Sequence, residues 1–255
     1  MWTQTKYLET NLKEHLEKNY KERLRDKLSV SDTGCLLHRQ LKLWKVEPDN
    51  PPTFESLVTF DYGTYFHLYL QNKLEGEDEI KLEDEHFIGH IDKVTTEDGK
   101  LVVNEFKSVK DYGLDMILKE GKPQEEHIKQ ATNYVRMLKK VKENVADTFR
   151  IIYIAKCFDD SHRKFLYERK NPEMANGRTI IRIGEFTGEY DPKLAQEIVD
   201  EAVLVETMAK KRIPLRCTSW DKTFHRDETW NQYLSWCSKE PEVNQRRLND
   251  SLLNT

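Results

Sequence analysis

Residues 86–94, His-Phe-Ile-Gly-His-Ile-Asp-Lys-Val, and residues 100–108, Lys-Leu-Val-Val-Asn-Glu-Phe-Lys-Ser, decide the fold of this chain. Both runs are rich in β-branched and aromatic residues. The segment Glu97-Asp98-Gly99 between them carries an Asp-Gly turn signal, so the pair predicts a β-hairpin. Side chains alternate across a strand, which puts Glu105 and Lys107 on one face and Phe106 on the other. An acid and a lysine two apart are unusual in a strand flanked by Val102, Val103 and Phe106, because buried charge is costly unless it is paired or binds a metal. Asp92 on the first strand can reach the same face. Two carboxylates and a main-chain carbonyl make a hard-oxygen pocket suited to Mg²⁺ or Mn²⁺. A lysine beside them can hold an attacking water or stabilise charge developing on a phosphate. The competing reading of Glu105 and Lys107 alone is a cross-strand salt-bridge row on a solvated face.

Upstream of the hairpin the pattern is helical. Lys6–Lys27 places leucines at helical spacing among charges, a second helix is expected from Ser31 or Asp32 to about Trp44, and a third from about Thr53 to Leu74. The three prolines of residues 47–52 (Glu-Pro-Asp-Asn-Pro-Pro) mark a loop between the second and third. Downstream, a helix is expected over Gln124–Lys142, strands over Phe149–Cys157, Lys164–Glu168 and Thr179–Phe186, and a helix over Lys193–Lys211. An irregular tail follows, with a frayed end. This order predicts an α/β class domain with a central mixed β-sheet flanked by helices and an N-terminal helical region. The whole chain, 1–255, reads as one domain: a helical part over 1–76, an α/β core over 77–212, and a tail over 213–255. That tail holds Trp220, Trp230 and Trp236 and is expected to pack on the core.

Composition narrows the function classes. The chain has 255 residues with 41 basic and 45 acidic side chains, a net charge of −4. No apolar run approaches the roughly 20 residues needed to span a bilayer. Met1–Tyr20 is charged throughout, unlike a secretory signal, so a cytoplasmic protein with reduced thiols is expected. Ten glycines form neither a dinucleotide-binding nor a P-loop motif. The negative balance argues against coating nucleic acid by bulk charge, but local carboxylates that hold metal add to the same tally, so the balance does not decide the partner.

An Asp on one strand and Glu-x-Lys on the next resembles the core of the PD-(D/E)XK nuclease superfamily, which has a restriction-endonuclease-like fold. The likeness extends to its RecB-like exonuclease branch, which includes CRISPR-associated adaptation nucleases and phage recombination exonucleases. Gly63-Thr-Tyr-Phe-His67, Gly89-His-Ile-Asp92, Glu105-Phe-Lys107 and Gln130-Ala-Thr-Asn-Tyr134 stand in the branch's order. The resemblance covers about half the chain, from Ser31 to Cys157. It implies a metal-dependent DNA nuclease, most readily an exonuclease acting on DNA ends or single strands in recombination or repair. In that reading Asp92, Glu105, the Phe106 carbonyl and His67 hold Mg²⁺ or Mn²⁺. Lys107 activates water, and Gln130 and Tyr134 position the lysine or the DNA backbone. DNA, and a partner protein in recombination, are the implied partners, in a bacterial or phage-infected cell. A structure-specific or nonspecific endonuclease on the same core is the alternative, and a non-catalytic nucleic-acid-binding module a third.

Three further groups are singled out. Arg39, Lys42, Lys45, Lys139, Lys140, Lys142, Lys210, Lys211, Arg212 and Arg216 could line a groove for phosphates, or be solvated helix faces. Tyr62, Tyr65, Phe66 and Tyr69 read as core before stacking platforms. Some RecB-like nucleases carry an iron–sulfur cluster held by one Cys before the core and three near the C-terminus. Cys35, Cys217 and Cys237 occupy comparable places, but the Cys-x-x-Cys is missing, so a cluster is not expected.

Overall fold

A computed structural model describes residues 7–19, 26–156, 182–218 and 232–253. In chain order the described elements are α1 (Tyr7–Asn19), β1 (Leu28–Ser29), α2 (Leu36–Leu43), α3 (Phe54–Gln71), β2 (Glu77–Glu83), β3 (Phe87–Glu97), β4 (Lys100–Lys110), α4 (Asp111–Glu120), α5 (Glu125–Val141), β5 (Val145–Lys156), β6 (Ile183–Glu189), α6 (Pro192–Lys210), α7 (Leu234–Cys237) and α8 (Pro241–Leu253). They gather in two compact units, Met1–Thr64 with Val199–Thr255, and Tyr65–Ile198. The limits of these units lie inside α3 and α6.

The second unit contains the hairpin. Asp98 and Gly99 both take positive φ, 49° and 76°, the two-residue turn whose twist matches that of the flanking strands. β3 and β4 pair antiparallel from Glu97↔Lys100 to Lys93↔Asn104. β2 pairs antiparallel with β3, β5 parallel with β4, and β6 antiparallel with β5, which makes the sheet mixed and the fold α/β. A parallel pair needs a crossover, and here α4 and α5 supply it. α4 stops where Gly121 turns left-handed at φ 69° and returns its N–H to the Ile117 carbonyl. α5 carries Glu125 and Glu126 in its first turn and Lys139 and Lys140 in its last, signs that complement the helix dipole. Its buried stripe, Ala131, Tyr134, Val135 and Leu138, covers the sheet face formed by β4 and β5.

In the first unit, α2 packs Leu37 and Leu41 against Tyr233 and Trp236, on and beside α7, and Leu248 of α8. Polar groups brace this cluster. The Gln40 amide donates to the Ile213 carbonyl at 2.8 Å and accepts from the Leu215 N–H at 2.8 Å. Arg39 is buried and pairs with Glu201 at 3.1 Å. Trp44 Nε1 donates to the Ala209 carbonyl at 3.0 Å.

Several elements depart from expectation. α2 starts at Leu36, with Cys35 at the cap position, because the Asp32 carboxylate is engaged by Lys42 at 2.9 Å and the Ser31 hydroxyl by Ser29. β2 and α4 were not expected. Most side chains of Glu-Asp-Glu-Ile-Lys-Leu-Glu are exposed, so β2 is held by main-chain pairing that leaves little hydrophobic alternation. The tail is helical at α7 and α8, and Trp236 is buried in the first unit. Trp220, Trp230, Cys157 and the expected strand Lys164–Glu168 lie outside the described residues.

Gly76, just before β2, sits at φ 133°, and a Cβ there would stand 2.1 Å from the Val94 carbonyl oxygen of β3. Both the dihedral and the clash penalise any side chain. Gly76→Ala is expected to lose about 1–3 kcal/mol of stability, read as a lowered Tm and urea midpoint.

Candidate active site

The β3–β4 ladder ends at Lys93↔Asn104. The next residues along the two strands are Asp92 and Glu105, where the hairpin opens. The Phe106 N–H turns to a side chain there and donates to Asp92 Oδ2 at 2.8 Å. The other Asp92 oxygen, Oδ1, lies 3.3 Å from His67 Nδ1 on α3. Donation from Nδ1 to this oxygen would leave Nε2 as the lone-pair nitrogen of the ring. The His67 ring meets the Phe106 ring edge-on, centroids 6.2 Å apart.

Glu105 is buried. Its Oε1 accepts from Lys107 Nζ at 2.8 Å and from Gln130 Nε2 at 2.7 Å. Lys107 Nζ also donates to Gln130 Oε1 at 2.7 Å, so Glu105, Lys107 and Gln130 close a three-membered ring of hydrogen bonds. Glu105 Oε2 is buried with no hydrogen-bond partner among the described residues. Burial pushes the Glu105 carboxyl up to about 7; Lys107 pulls it back and the negative Asp92 raises it again. A buried carboxylate oxygen without a donor is costly to leave so, and a cation beside it could relieve that cost. Asp92, Glu105 and the Phe106 carbonyl could offer oxygen to such an ion, and His67 its imidazole. This donor set fits Mg²⁺ or Mn²⁺ in kind.

α5 covers this group. The Tyr134 hydroxyl lies in hydrogen-bonding reach of the Gln130 side chain and the His90 backbone, and burial together with the Glu105 charge holds it protonated. The crossover that makes β4 and β5 parallel puts Tyr153 beside Lys107 in register. Tyr153 Oη accepts from the Gln124 N–H at 3.1 Å and lies 2.7 Å from His127 Nδ1. Burial, and then the Lys107 charge, pull His127 down to about 3, so the ring is neutral and Nδ1 accepts the tyrosine hydrogen.

The structure thus brings together His67, Asp92, Glu105, Phe106, Lys107, Gln130 and Tyr134. His127, three residues before Gln130 on α5, was not among the expected site residues, and Tyr153 was missed. Its signal, a register partner of Lys107, exists only once the strands are paired. Other expectations fare differently. Arg39 is buried against Glu201 and so cannot line a groove. Lys139, Lys140 and Lys142 pair with Asp147, Asp84 and Glu77. Lys210, Lys211, Arg212 and Arg216 are exposed. Tyr62, Tyr65 and Tyr69 are exposed rather than core.

No family model and no curated protein matches the chain. Among solved structures it is similar to an alkaline exonuclease, LHK-Exo, from Laribacter hongkongensis, at 14% identity over 74% of this chain and 90% of that one, with a TM-score of 0.48. The same enzyme in complex with dAMP matches at 14% identity over 73% and 89%, TM-score 0.47. A phage-related exonuclease from Haemophilus somnus 129PT matches at 10% identity over 82% and 83%, TM-score 0.36.

The raised Glu105 carboxyl has a consequence for stability. Between its ordinary value of 4.5 and about 7 the folded chain keeps a proton that the unfolded chain has lost. The contribution of this group is therefore full below pH 4.5 and declines as pH rises to 7. In chelator-containing buffer, Glu105→Gln is expected to raise stability at pH 8 by on the order of 1–3 kcal/mol. The gap between variant and parent should close as the pH falls to 5, which thermal melts across that range will read.

Proposed function

We propose that this protein is a metal-dependent DNA nuclease that hydrolyses phosphodiester bonds. The observation that carries the reading is the buried, unpartnered Glu105 Oε2 set beside Asp92, with Lys107 held in the same group. Asp92, Glu105, the Phe106 carbonyl and His67 would hold Mg²⁺ or Mn²⁺. Such an ion, when bound, polarises the phosphoryl group and lowers the pKa of water.

The chain's own residues have distinct tasks. Lys107 presents a fixed positive charge to an oxygen of the scissile phosphate and orients the water that attacks it. Gln130 is a positioning residue. It donates to Glu105 and accepts from Lys107, so one amide sets the rotamers of both. Tyr134, kept protonated, is a further donor on the same helix. Asp92 has two jobs on the protein side: it takes the Phe106 N–H and orients the His67 ring. The preference for an exonuclease on DNA ends or single strands comes from the resemblance to the RecB-like exonuclease branch, not from the spacing of the residues.

Lys107→Ala and Asp92→Ala are each expected to reduce cleavage of end-labelled DNA in Mg²⁺ or Mn²⁺ by about 10²-fold or more. Gln130→Ala should cost less, through kcat rather than KM. Near-parental turnover in either of the first two variants would remove the assignment. Covalently closed single-stranded circles should survive an end-dependent enzyme and be cut by an endonuclease.

A further inference from the structure

Three cysteines from distant parts of the chain meet in the core of the first unit. Cys35 caps α2, Cys217 follows α6, and Cys237 ends α7; all three are buried and none forms a disulfide. Cys35 Sγ and Cys217 Sγ lie 3.4 Å apart across a sequence separation of 182 residues. Sγ of Cys35, Sγ of Cys237 and a ring nitrogen of His38 lie within 4.8 Å of one another. His38 follows Cys35 by three residues, so the first turn of α2 brings both to one side. Its ring packs edge-on to Tyr233 at a centroid distance of 5.2 Å. The Cys237 thiol is in hydrogen-bonding reach of Cys217 and Cys35, and those neighbours with burial push it up from the ordinary thiol range.

We propose that Cys35, His38, Cys217 and Cys237 form a Cys₃His site for a single Zn²⁺ that staples α2 to the segments after α6 and at α7. The spacing of the donors selects a single ion. A tetrahedral zinc with Zn–S bonds of about 2.3 Å holds its sulfurs roughly 3.8 Å apart, and the spacings of 3.4 Å and under 4.8 Å bracket that value. An iron–sulfur cluster does not fit. In a [4Fe–4S] cluster each thiolate binds its own iron, and in a [2Fe–2S] cluster the ligands sit in two pairs on irons across the cluster; Cys35, close to all three of the other donors, fits neither. A disulfide requires about 2.0 Å between sulfurs, so the Cys35–Cys217 contact is non-bonded.

On binding, each of the three thiols gives up its proton to solvent and the neutral His38 donates a ring lone pair. The gain is structural: the ion ties segments far apart in sequence, where loop closure costs the most entropy. None of these residues belongs to the group around Glu105, so this site and the nuclease reading stand or fall separately.

The test is the metal content and spectroscopy of the full chain purified from zinc-supplemented cells without chelator. Elemental analysis is expected to find about one zinc per chain. Titration with p-hydroxymercuribenzoate should release it, and the stripped protein should melt at lower temperature and regain its Tm on adding Zn²⁺. Cobalt substitution should give the intense sulfur-to-metal and tetrahedral absorption of a three-thiolate site. His38→Ala, the mildest variant because His38 is half-buried, should weaken cobalt affinity by about tenfold or more while keeping the thiolate bands. Cys217→Ser should reduce those bands. If Cys217→Ser does not fold, the metal content of the parent and the His38→Ala spectrum decide. A parent free of zinc and silent to cobalt overturns the proposal. So does one holding iron and sulfide with visible colour, or one whose thiol count shows a Cys35–Cys217 disulfide.

Discussion

Glu105 places a carboxylate on β4 between apolar neighbours, out of contact with water, and that burial governs the second unit. One oxygen is compensated by Lys107 and Gln130; the other has no partner among the described residues. Burial alone drives the group toward its neutral form, and Asp92 adds to the drive. A chain gains nothing in stability from such an arrangement. The local departures follow from it. The β3–β4 ladder stops one residue short of Asp92 and Glu105, and the Phe106 N–H is satisfied by the Asp92 side chain instead of a strand partner.

The fold serves this group through the parallel pairing of β4 and β5. An antiparallel continuation after β4 would need only a short turn. A parallel one needs a crossover, and the crossover delivers α5, with Gln130 and Tyr134 on its buried stripe, directly over Glu105 and Lys107. The same pairing sets Tyr153 beside Lys107, where its hydroxyl keeps a neutral His127 in place. A cationic His127 near Lys107 would repel it, and burial prevents that charge from forming. The arrangement thus keeps one positive charge where two would compete.

The first unit solves a different problem. Its segments are far apart in sequence, and its apolar cluster is completed by cysteines rather than by more leucines. Gln40 ties the segment after α6 to α2 through its side chain, bonding the Ile213 carbonyl and the Leu215 N–H, and Arg39 pairs with the Glu201 carboxylate of α6. Three thiols and an imidazole at the same place supply donors that a hydrophobic core does not need.

The hairpin, its turn, the helix carrying Gln130 and Tyr134 and the helix carrying His67 were legible in the sequence, because each depends on local chemistry. Asp98-Gly99 accepts the left-handed dihedrals of a tight turn, and alternation places Glu105 and Lys107 on one face whatever the rest of the chain does. β2 and α4 were not legible, since main-chain pairing holds the first and leaves no hydrophobic period. Nor was the fate of the basic residues: Arg39 looks like any surface arginine until Glu201 is found beside it. Tyr62, Tyr65 and Tyr69 look like core until the helix is seen to expose them. Residue type and strand period already pick out the side chains that could do metal and phosphate chemistry. Packing is what leaves Glu105 Oε2 buried without a partner among the described residues, sets Tyr153 behind His127, and brings Cys35, His38, Cys217 and Cys237 together. Those facts depend on contacts between residues far apart in the chain, which no local pattern encodes.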